Sequence, residues 1–224
     1  MMRVHSGLVS PGMRVSSARQ WAGRIAVFFC ILLFGLPAQA AGNGDADVTA
    51  GIQAFDAGAD QNAWNYFSLA EKEGSTEALY WLGHMTELGL ATKQDLPKAA
   101  DYYRRAATAG WVMAQAKLGH FYLEGEGVMQ DFAKARTLLE EAAYKNFADA
   151  QYDLGHIYAD GLGTTKSPVS AYVWYDFAAR GGNPQYRKAR DNALKGLSPD
   201  EVVQAQKFAE TLRGSIFGAA PSGN

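Results

Sequence analysis

Three histidines recur along the chain at a fixed interval, and clustered histidines are a common sign of a zinc site. They are His84, His120 and His156, spaced 36 residues apart. A zinc centre needs its ligand nitrogens about 2 Å from one ion. If the interval reflects stacked helical units, whose axes lie roughly 8–10 Å apart, equivalent side chains form a ladder and not a cluster. The spacing therefore predicts no metal site. It leaves either simple surface histidines or a ladder that contacts a partner and titrates near neutral pH.

Nucleophilic and phosphate-binding motifs are absent from the sequence. It contains no G-x-S-x-G, H-E-x-x-H, P-loop or S-x-x-K motif. The one cysteine, Cys30, lies in an N-terminal segment that we expect to be removed. A chain without that cysteine has no disulfide, thiol nucleophile or cysteine-ligated metal. The sequence thus predicts no catalytic residue and no cofactor.

Residues 1–40 have the features of a secretory signal peptide. They contain four arginines and no acidic residue, then an apolar run over 25–36, and they end in Pro-Ala-Gln-Ala. A helix of twelve residues is about 18 Å long, which is short for a hydrocarbon core of roughly 30 Å. We therefore expect cleavage after Ala40, with an uncleaved membrane anchor as the alternative. The start of translation, at Met1 or Met13, stays open.

Removal of this segment makes the chain more acidic. Lysine plus arginine falls from 21 to 17 while aspartate plus glutamate stays at 23, so the net charge changes from −2 to −6. An acidic chain without a basic cluster is a poor ligand for nucleic acid or anionic membranes. We expect an exported protein, periplasmic or extracellular, with no membrane anchor after cleavage and with a protein or peptide as its partner. Its oligomeric state is not predicted.

The histidines belong to a longer repeated pattern. Each follows a Leu-Gly pair, and a loop glycine, a single alanine and an Ala-Ala pair also return every 36 residues. A period of this length indicates a stack of identical supersecondary units. Such units bury their apolar faces against their neighbours and form an elongated solenoid with a binding surface. We assign the three repeats to 76–111, 112–147 and 148–183.

Each repeat is predicted to form two helices joined by a glycine-bearing loop. In the second repeat, apolar residues recur at helical spacing over 112–124 and again over 131–145. Between them, Gly125 and Gly127 can take positive φ, and Asp131 is placed to cap the second helix. Gly119 lies in mid-helix, where glycine costs about 1 kcal/mol relative to alanine. The recurrence of this glycine predicts that the two helices of a repeat approach closely. The small residues facing the glycine are predicted to be the Ala-Ala pair.

The flanking segments are predicted to be variants of the same unit. We expect a flexible leader at 41–47, a capping helix pair at 48–75, a second capping pair at 184–213 and a disordered tail at 214–224. Ser198 and Glu201 have the spacing of a capping box at the start of the last helix. Five aromatic residues fall at core spacing on second helices: Tyr102, Tyr103, Trp174, Tyr175 and Phe177.

The repeated pattern resembles the Sel-one-like repeat, a relative of the tetratricopeptide repeat. The resemblance rests on A-x-x-x-L-G-x-x-Y, G-x-G-V, D-x-x-K-A and A-A, as in Ala114 to Ala143, and on a closing stretch similar to the C-terminal unit of exported bacterial members. One departure is Ala91-Thr92, which replaces the Gly127-Val128 of the second repeat and predicts a less tightly turned loop.

The resemblance implies an all-α fold, a right-handed α-solenoid of antiparallel helix pairs. It also implies an adaptor or scaffold that holds a protein or peptide on its concave face, in the bacterial envelope. The alternative is a periplasmic enzyme or enzyme subunit acting on cell-wall or β-lactam-like substrates. Cysteine-rich relatives have been linked to β-lactams, and the mature chain would have no cysteine.

In superhelices of this kind the first helix of each repeat lines the concave side. Trp81 occupies a slot filled by Lys117 and Asp153 in the other repeats, which predicts that this slot faces solvent. Trp81 is then either an interface anchor or a cover for the first unit. The residues on this side of the first helices become more acidic toward the third repeat, which favours a basic or amide-rich partner. The candidate groove comprises Glu77, Trp81, His84, Leu88, Met113, Lys117, His120, Glu124, Asp149, Asp153, His156 and Asp160.

Overall fold

The part of the chain that the structure describes, residues 44–217 of a computed structural model, consists of ten α-helices with no strand. This confirms the all-α solenoid predicted from the sequence. The predicted signal peptide lies outside the described residues. The helices are α1 Gly44–Asp56, α2 Asp60–Lys72, α3 Thr76–Leu88, α4 Leu96–Thr108, α5 Val112–Glu124, α6 Phe132–Tyr144, α7 Ala148–Asp160, α8 Pro168–Ala179, α9 Pro184–Lys195 and α10 Pro199–Phe217.

The described residues divide into two compact units after Ser75. The first unit is the helix pair α1 and α2, packed around the buried Phe55 and Phe67. Helix α1 begins at Gly44, so the last four residues of the predicted leader are helical. The reason lies in the first turn of α1, where Asp45 and another acidic side chain favour the positive end of the helix dipole.

The second unit contains the three repeats and the two C-terminal helices. Each repeat contributes one pair: α3 with α4, α5 with α6, and α7 with α8. The second helix of one repeat packs on the first helix of the next, and α9 and α10 both pack on α8. The first helices α5 and α7 also contact each other directly. Side chains on adjacent first helices can therefore interact across the boundary between repeats.

Mid-helix glycines allow the two helices of a repeat to approach closely. A Cβ at Gly119 would lie 2.8 Å from Leu139 Cγ, and one at Gly155 would lie 2.4 Å from Tyr175 Cδ1. The predicted close approach is therefore confirmed. The Ala-Ala pairs were expected to face these glycines, and that expectation is wrong. The side chains opposite the glycines are large ones, Leu139 at Gly119 and Tyr175 at Gly155.

The loops after the first helices turn through residues with positive φ. Gly125 ends α5 with φ 74°, and Gly127 has φ 65°. A Cβ at Gly127 would lie 2.3 Å from the carbonyl carbon of Leu96, so this loop packs on the preceding repeat. In the first repeat Ala91 takes the place of Gly127 with φ 61°. The prediction of a looser turn there is wrong, because the alanine adopts the same left-handed conformation.

Side-chain caps begin the helices where the sequence predicts them. The backbone N–H of Lys134 donates to Asp131 Oδ1 over 3.0 Å at the start of α6. At the start of α10, Ser198 N donates to Glu201 Oε2 over 2.9 Å, and Glu201 N donates to Ser198 Oγ over 3.3 Å. Both predicted caps are confirmed.

The last helix extends beyond its predicted end. Residues 214–217 belong to α10 and not to a disordered tail, and residues 218–224 lie outside the described part of the chain. The helix continues because Leu212 is buried and Ile216 packs against a core cluster shared by the second and third repeats. The predicted core role of the second-helix aromatics is confirmed for Tyr103, Trp174, Tyr175 and Phe177, all buried, whereas Tyr102 is half-buried.

Candidate functional site

The candidate groove lies on the first helices α3, α5 and α7, four residues on each. Only Leu88, Glu124 and Asp160 are exposed, whereas His84 and Asp153 are buried and the other seven are half-buried. The prediction that the slot of Trp81, Lys117 and Asp153 faces solvent is therefore wrong for Asp153, which is buried, whereas Trp81 and Lys117 are half-buried. The physical reason is the contact between α5 and α7, which brings Asp153 against His120.

A half-buried carboxylate joins the first repeat to the second. Glu87 Oε2 accepts a hydrogen bond from the Tyr103 hydroxyl over 2.5 Å, and Glu87 Oε1 accepts one from Lys117 Nζ over 3.0 Å. His84 Nδ1 lies 3.7 Å from Glu87 Oε2. Burial alone would raise the pKa of Glu87, but His84, the charge of Lys117 and the Tyr103 hydroxyl outweigh it and lower the pKa to about 2. Glu87 is thus an anion that holds α3, α4 and α5 together.

A histidine–aspartate pair joins the second repeat to the third. His120 Nδ1 on α5 lies 3.0 Å from Asp153 Oδ2 on α7, and the Asp153 side chain is only 7% exposed. Burial favours the neutral imidazole, but the hydrogen bond and the charge of Asp153 outweigh burial and raise the pKa of His120. A protonated or Nδ1–H imidazole donates to Asp153, so the pair links two repeats of the candidate groove.

A third polar contact joins α7 to the C-terminal helices. The Tyr186 hydroxyl on α9 donates a hydrogen bond to Asp149 Oδ1. The rings of Tyr152 and Tyr186 stack with centroids 4.7 Å apart, and Tyr152 also contacts the ring of Tyr175 at 5.4 Å. Gln185 Nε2 donates to the Tyr152 hydroxyl over 3.3 Å. Asp149, at the end of the candidate groove formed by α7, therefore lies beside a cluster of three tyrosine rings.

The three histidines have three different environments. His84 is buried at 4% exposure, which contradicts the expectation of a surface histidine at this position. His120 is paired across the repeat boundary, and His156 Nε2 contacts Asp160 Oδ2 on its own helix at 3.0 Å, with the two side chains 43% and 56% exposed. Within residues 44–217 no three histidine, cysteine, aspartate or glutamate side chains are placed to share a metal ion.

The apolar members of the candidate groove divide between core and surface. Trp81 and Met113 are half-buried and pack against the core cluster that contains Tyr80 and Tyr103. The Trp81 indole N–H donates to Glu77 Oε1 over 3.3 Å. Leu88, at the end of α3, is 50% exposed. Trp81 therefore contributes to the fold as well as offering part of its ring at the surface.

Several residues that contact the candidate groove from below or from a neighbouring helix are not among its twelve predicted members. Glu87 occupies a position that is Leu123 in the next repeat, and Tyr186 occupies a position that is Ala150 in the preceding one. A charge at a leucine position and an aromatic ring at an alanine position are departures from the repeat that could have identified them. Tyr80 and Tyr152 give a weaker signal, since the intervening repeat has a small residue at their shared position.

None of the helices within residues 44–217 combines the length and the apolar composition needed to cross a membrane. Among curated proteins, no sequence matches this chain. A crystal structure of a Sel1 repeat protein from Oxalobacter formigenes is similar in fold, with 24% identity and a TM-score of 0.60 over 73% of this chain and 70% of that one. A second structure is c5321, a protective antigen present in uropathogenic Escherichia coli strains displaying an SLR fold, with 22% identity and a TM-score of 0.49 over 78% of this chain and 46% of that one.

The profile of the Sel1 repeat matches residues 76–111, 112–147 and 148–183. These are the three ranges that the 36-residue period defines in the sequence. Each match covers one pair of helices in the second unit, from α3 to α8. Residues 76–183 of this chain therefore carry three consecutive Sel1 repeats.

Proposed function

We propose that this protein is a noncovalent scaffold of the bacterial cell envelope that binds a protein or peptide on the face formed by α3, α5 and α7. Sel1 repeat proteins are generally protein–protein interaction scaffolds. The observation that carries the proposal is the difference between constant packing positions and variable surface positions within each repeat. Glycines and alanines at the packing positions are constant, whereas the side chains of the candidate groove, apart from the three histidines, differ from repeat to repeat.

The polar contacts of this face support a binding role. Lys117 and His120 reach carboxylates of the neighbouring repeats, so their geometry is fixed before any partner arrives. A prearranged surface loses less conformational entropy on binding than a flexible one. Exposed Leu88, Glu124 and Asp160 lie at the C-terminal ends of the three first helices and are the most accessible members of the candidate groove.

Export to the envelope is part of the proposal and is supported by the sequence of residues 1–40. Cleavage after Ala40 would release a chain with a net charge of −6. The measurement is the N-terminal sequence of the protein recovered from each cell fraction. A periplasmic or secreted protein that begins at Ala41 supports export, and an unprocessed protein in the cytoplasm contradicts it.

Capture of envelope proteins tests the binding face. The groove variant combines Trp81→Ala, Leu88→Ala and Asp160→Ala. The control variant combines Asp101→Ala, Arg104→Ala and Thr137→Ala, three exposed residues on the second helices α4 and α6. Each protein is immobilised and exposed to the envelope fraction of its own host, and the helical content of each is checked by circular dichroism.

The proposal predicts that the wild type and the control variant retain the same specific protein, and that the groove variant loses it with unchanged helical content. Equal capture by both variants contradicts the assignment of the face. A turnover of cell-wall material that one polar substitution abolishes would instead favour an enzyme.

A further inference from the structure

The last helix packs on the second helix of the third repeat. Helix α10 contacts α8 and, less extensively, α6. Its residues Phe208, Leu212 and Ile216 recur at helical spacing and belong to the same apolar cluster as Val173 and Trp174 of α8. One apolar side of α10 therefore lies on α8.

The equivalent part of α6, one repeat earlier, is open to solvent. Val173 is fully buried, whereas Thr137, its equivalent 36 residues earlier, is exposed. Trp174 is buried, and its equivalent Leu138 is half-buried. The first helix of the following unit does not account for the difference, because α7 packs on α6 as α9 packs on α8. Helix α10 is thus the element that covers Val173, and Thr137 has no such cover.

A surface groove of about 410 Å³ lies at this open part of α6. Its volume is in the range of ligand-binding pockets in proteins. This α6 groove is lined by one residue of α5 and four of α6, namely Tyr122, Ala133, Lys134, Thr137 and Leu138. Their equivalents in the third repeat are Tyr158, Val169, Ser170, Val173 and Trp174. The α6 groove therefore corresponds, one repeat earlier, to the surface that α10 covers.

The charged residue of the α6 groove lies at its edge. Lys134 Nζ is 3.0 Å from Asp131 Oδ2 and 5.3 Å from the centroid of the Tyr122 ring. The Lys134 side chain is 62% exposed, so its ammonium group stays in water while its methylene stem lies by the ring. The apolar surface of Ala133 and Leu138 remains available to a docked segment.

From this equivalence we infer that the α6 groove binds an amphipathic α-helix of another protein, which lies on α6 as α10 lies on α8. Such a helix presents apolar side chains on one side, spaced like Phe208, Leu212 and Ile216 of α10. The inference goes beyond the proposed function, because the α6 groove is centred on a second helix and the proposed binding face is formed by α3, α5 and α7.

The probe is a synthetic peptide with the sequence of residues 198–217, which includes α10 and its capping serine. An isolated helix of this length is only marginally stable in water. The peptide is therefore held helical by Val203→Glu, whose side chain is joined to Lys207 through an amide bond. Both positions are exposed in α10.

The peptide is titrated into the purified protein, as the cell produces it, while backbone amide signals are followed by NMR. Saturable shifts are expected at Thr137 and Leu138. A second peptide that also carries Phe208→Gln and Leu212→Gln lacks two of the apolar side chains and is expected to bind at least fivefold more weakly.

Matched variants of the protein test the position of the helix. Thr137→Arg places a long charged side chain in the α6 groove and is expected to weaken binding of the peptide by at least fivefold. Thr108→Arg is the control, since Thr108 is also exposed on a second helix and its hydroxyl, like that of Thr137, donates to the carbonyl four residues earlier. It is expected to leave the affinity unchanged within twofold. Thr137→Val introduces the residue type of Val173 and is expected to tighten binding by at least twofold.

Four results would overturn the inference: equal binding of the two peptides, an unaffected Thr137→Arg variant, weaker binding by Thr137→Val, or shifts confined to α8, which would mean that the peptide replaces α10 of the same chain. If the protein alone forms a dimer that Thr137→Arg dissociates, a second copy occupies the α6 groove and the assignment to another protein falls. The variant with Trp81→Ala, Leu88→Ala and Asp160→Ala is expected to bind the peptide as the wild type does. The result is therefore independent of the proposed binding face.

Discussion

At the scale of single residues, the polar side chains of the first helices connect the repeats. Glu87, Asp153 and Asp149 each accept a hydrogen bond from a different helix. An ion pair that is withdrawn from water loses hydration free energy. Replacing only one of its two partners leaves the other desolvated without a compensating charge, which destabilises the protein. Two substitutions measure how much these contacts contribute.

Replacing Glu87 by glutamine is expected to lower the free energy of unfolding by about 2 kcal/mol at pH 7, because Lys117 loses the charge that compensates it. The pKa of Glu87 in the folded protein is about 2, below its ordinary value of 4.5. Its contribution is therefore complete above pH 4.5 and is lost as the pH falls toward 2. Chemical denaturation of both proteins across this range gives the difference directly.

Glu124→Gln is the matched control for this measurement, since Glu124 is an exposed glutamate on α5. Its effect is expected to stay within about 0.5 kcal/mol at every pH. An equal loss for both variants, or a difference that persists undiminished at pH 2, would show that Glu87 is not the anion described here.

Replacing Asp153 by asparagine is expected to lower the pKa of His120. The carboxylate raises that pKa against the effect of burial, and an amide leaves burial without opposition. NMR titration of the His120 imidazole protons in the variant and in the wild type measures the shift. An unchanged His120 titration would contradict the pairing across the repeat boundary.

The elements show which features of the fold were predictable. The period fixed each helix pair because leucine, alanine and glycine return at packing positions in all three repeats. The capping residues Asp131 and Ser198 were identifiable for a different reason, because a helix cap depends only on residues within one turn. What lies opposite Gly155 was not predictable, because Tyr175 comes from another helix and depends on how the two pack.

Gly155→Ala is expected to destabilise the protein by about 1–3 kcal/mol, since the new methyl group would meet the broad side of the Tyr175 ring at 2.4 Å. Gly214→Ala is the control, because Gly214 lies within α10 and a methyl group added there would have no atom within 4 Å. That variant is expected to be neutral or slightly more stable because alanine favours helix. Thermal unfolding compares the two, and equal midpoints would contradict the close approach of α7 and α8.

Ala91→Gly is expected to stabilise the protein by about 0.5–1 kcal/mol. Ala91 has φ 61°, a conformation that alanine adopts only with strain and that glycine adopts freely. Ala109→Gly, at an ordinary φ of −81°, is expected to have the opposite effect. The midpoint of urea denaturation is the measurement, and a loss of stability in Ala91→Gly would show that the turn is not strained.

At the scale of the whole molecule, the sequence predicted the number and order of the repeats but not the exposure of their variable face. Helical periodicity distinguishes one face of a helix from another, and it contains no information on which neighbour covers the polar side. Asp153 was therefore expected at the surface and is buried against His120. Glu87, which stands where the next repeat has Leu123, was one sign in the sequence that side chains of adjacent repeats contact each other.

The central claim is that the partner binds the face of the first helices. Site-specific photo-crosslinking in the native host tests it most directly, with p-benzoylphenylalanine placed singly at Leu88, Glu124 or Asp160, all exposed on α3, α5 and α7. The same group at Asp101 or Tyr144, exposed on α4 and α6, supplies the comparison. The proposed face predicts one common crosslinked protein from the first set and none from the second. Crosslinks from the second set alone, or from both sets equally, would contradict it.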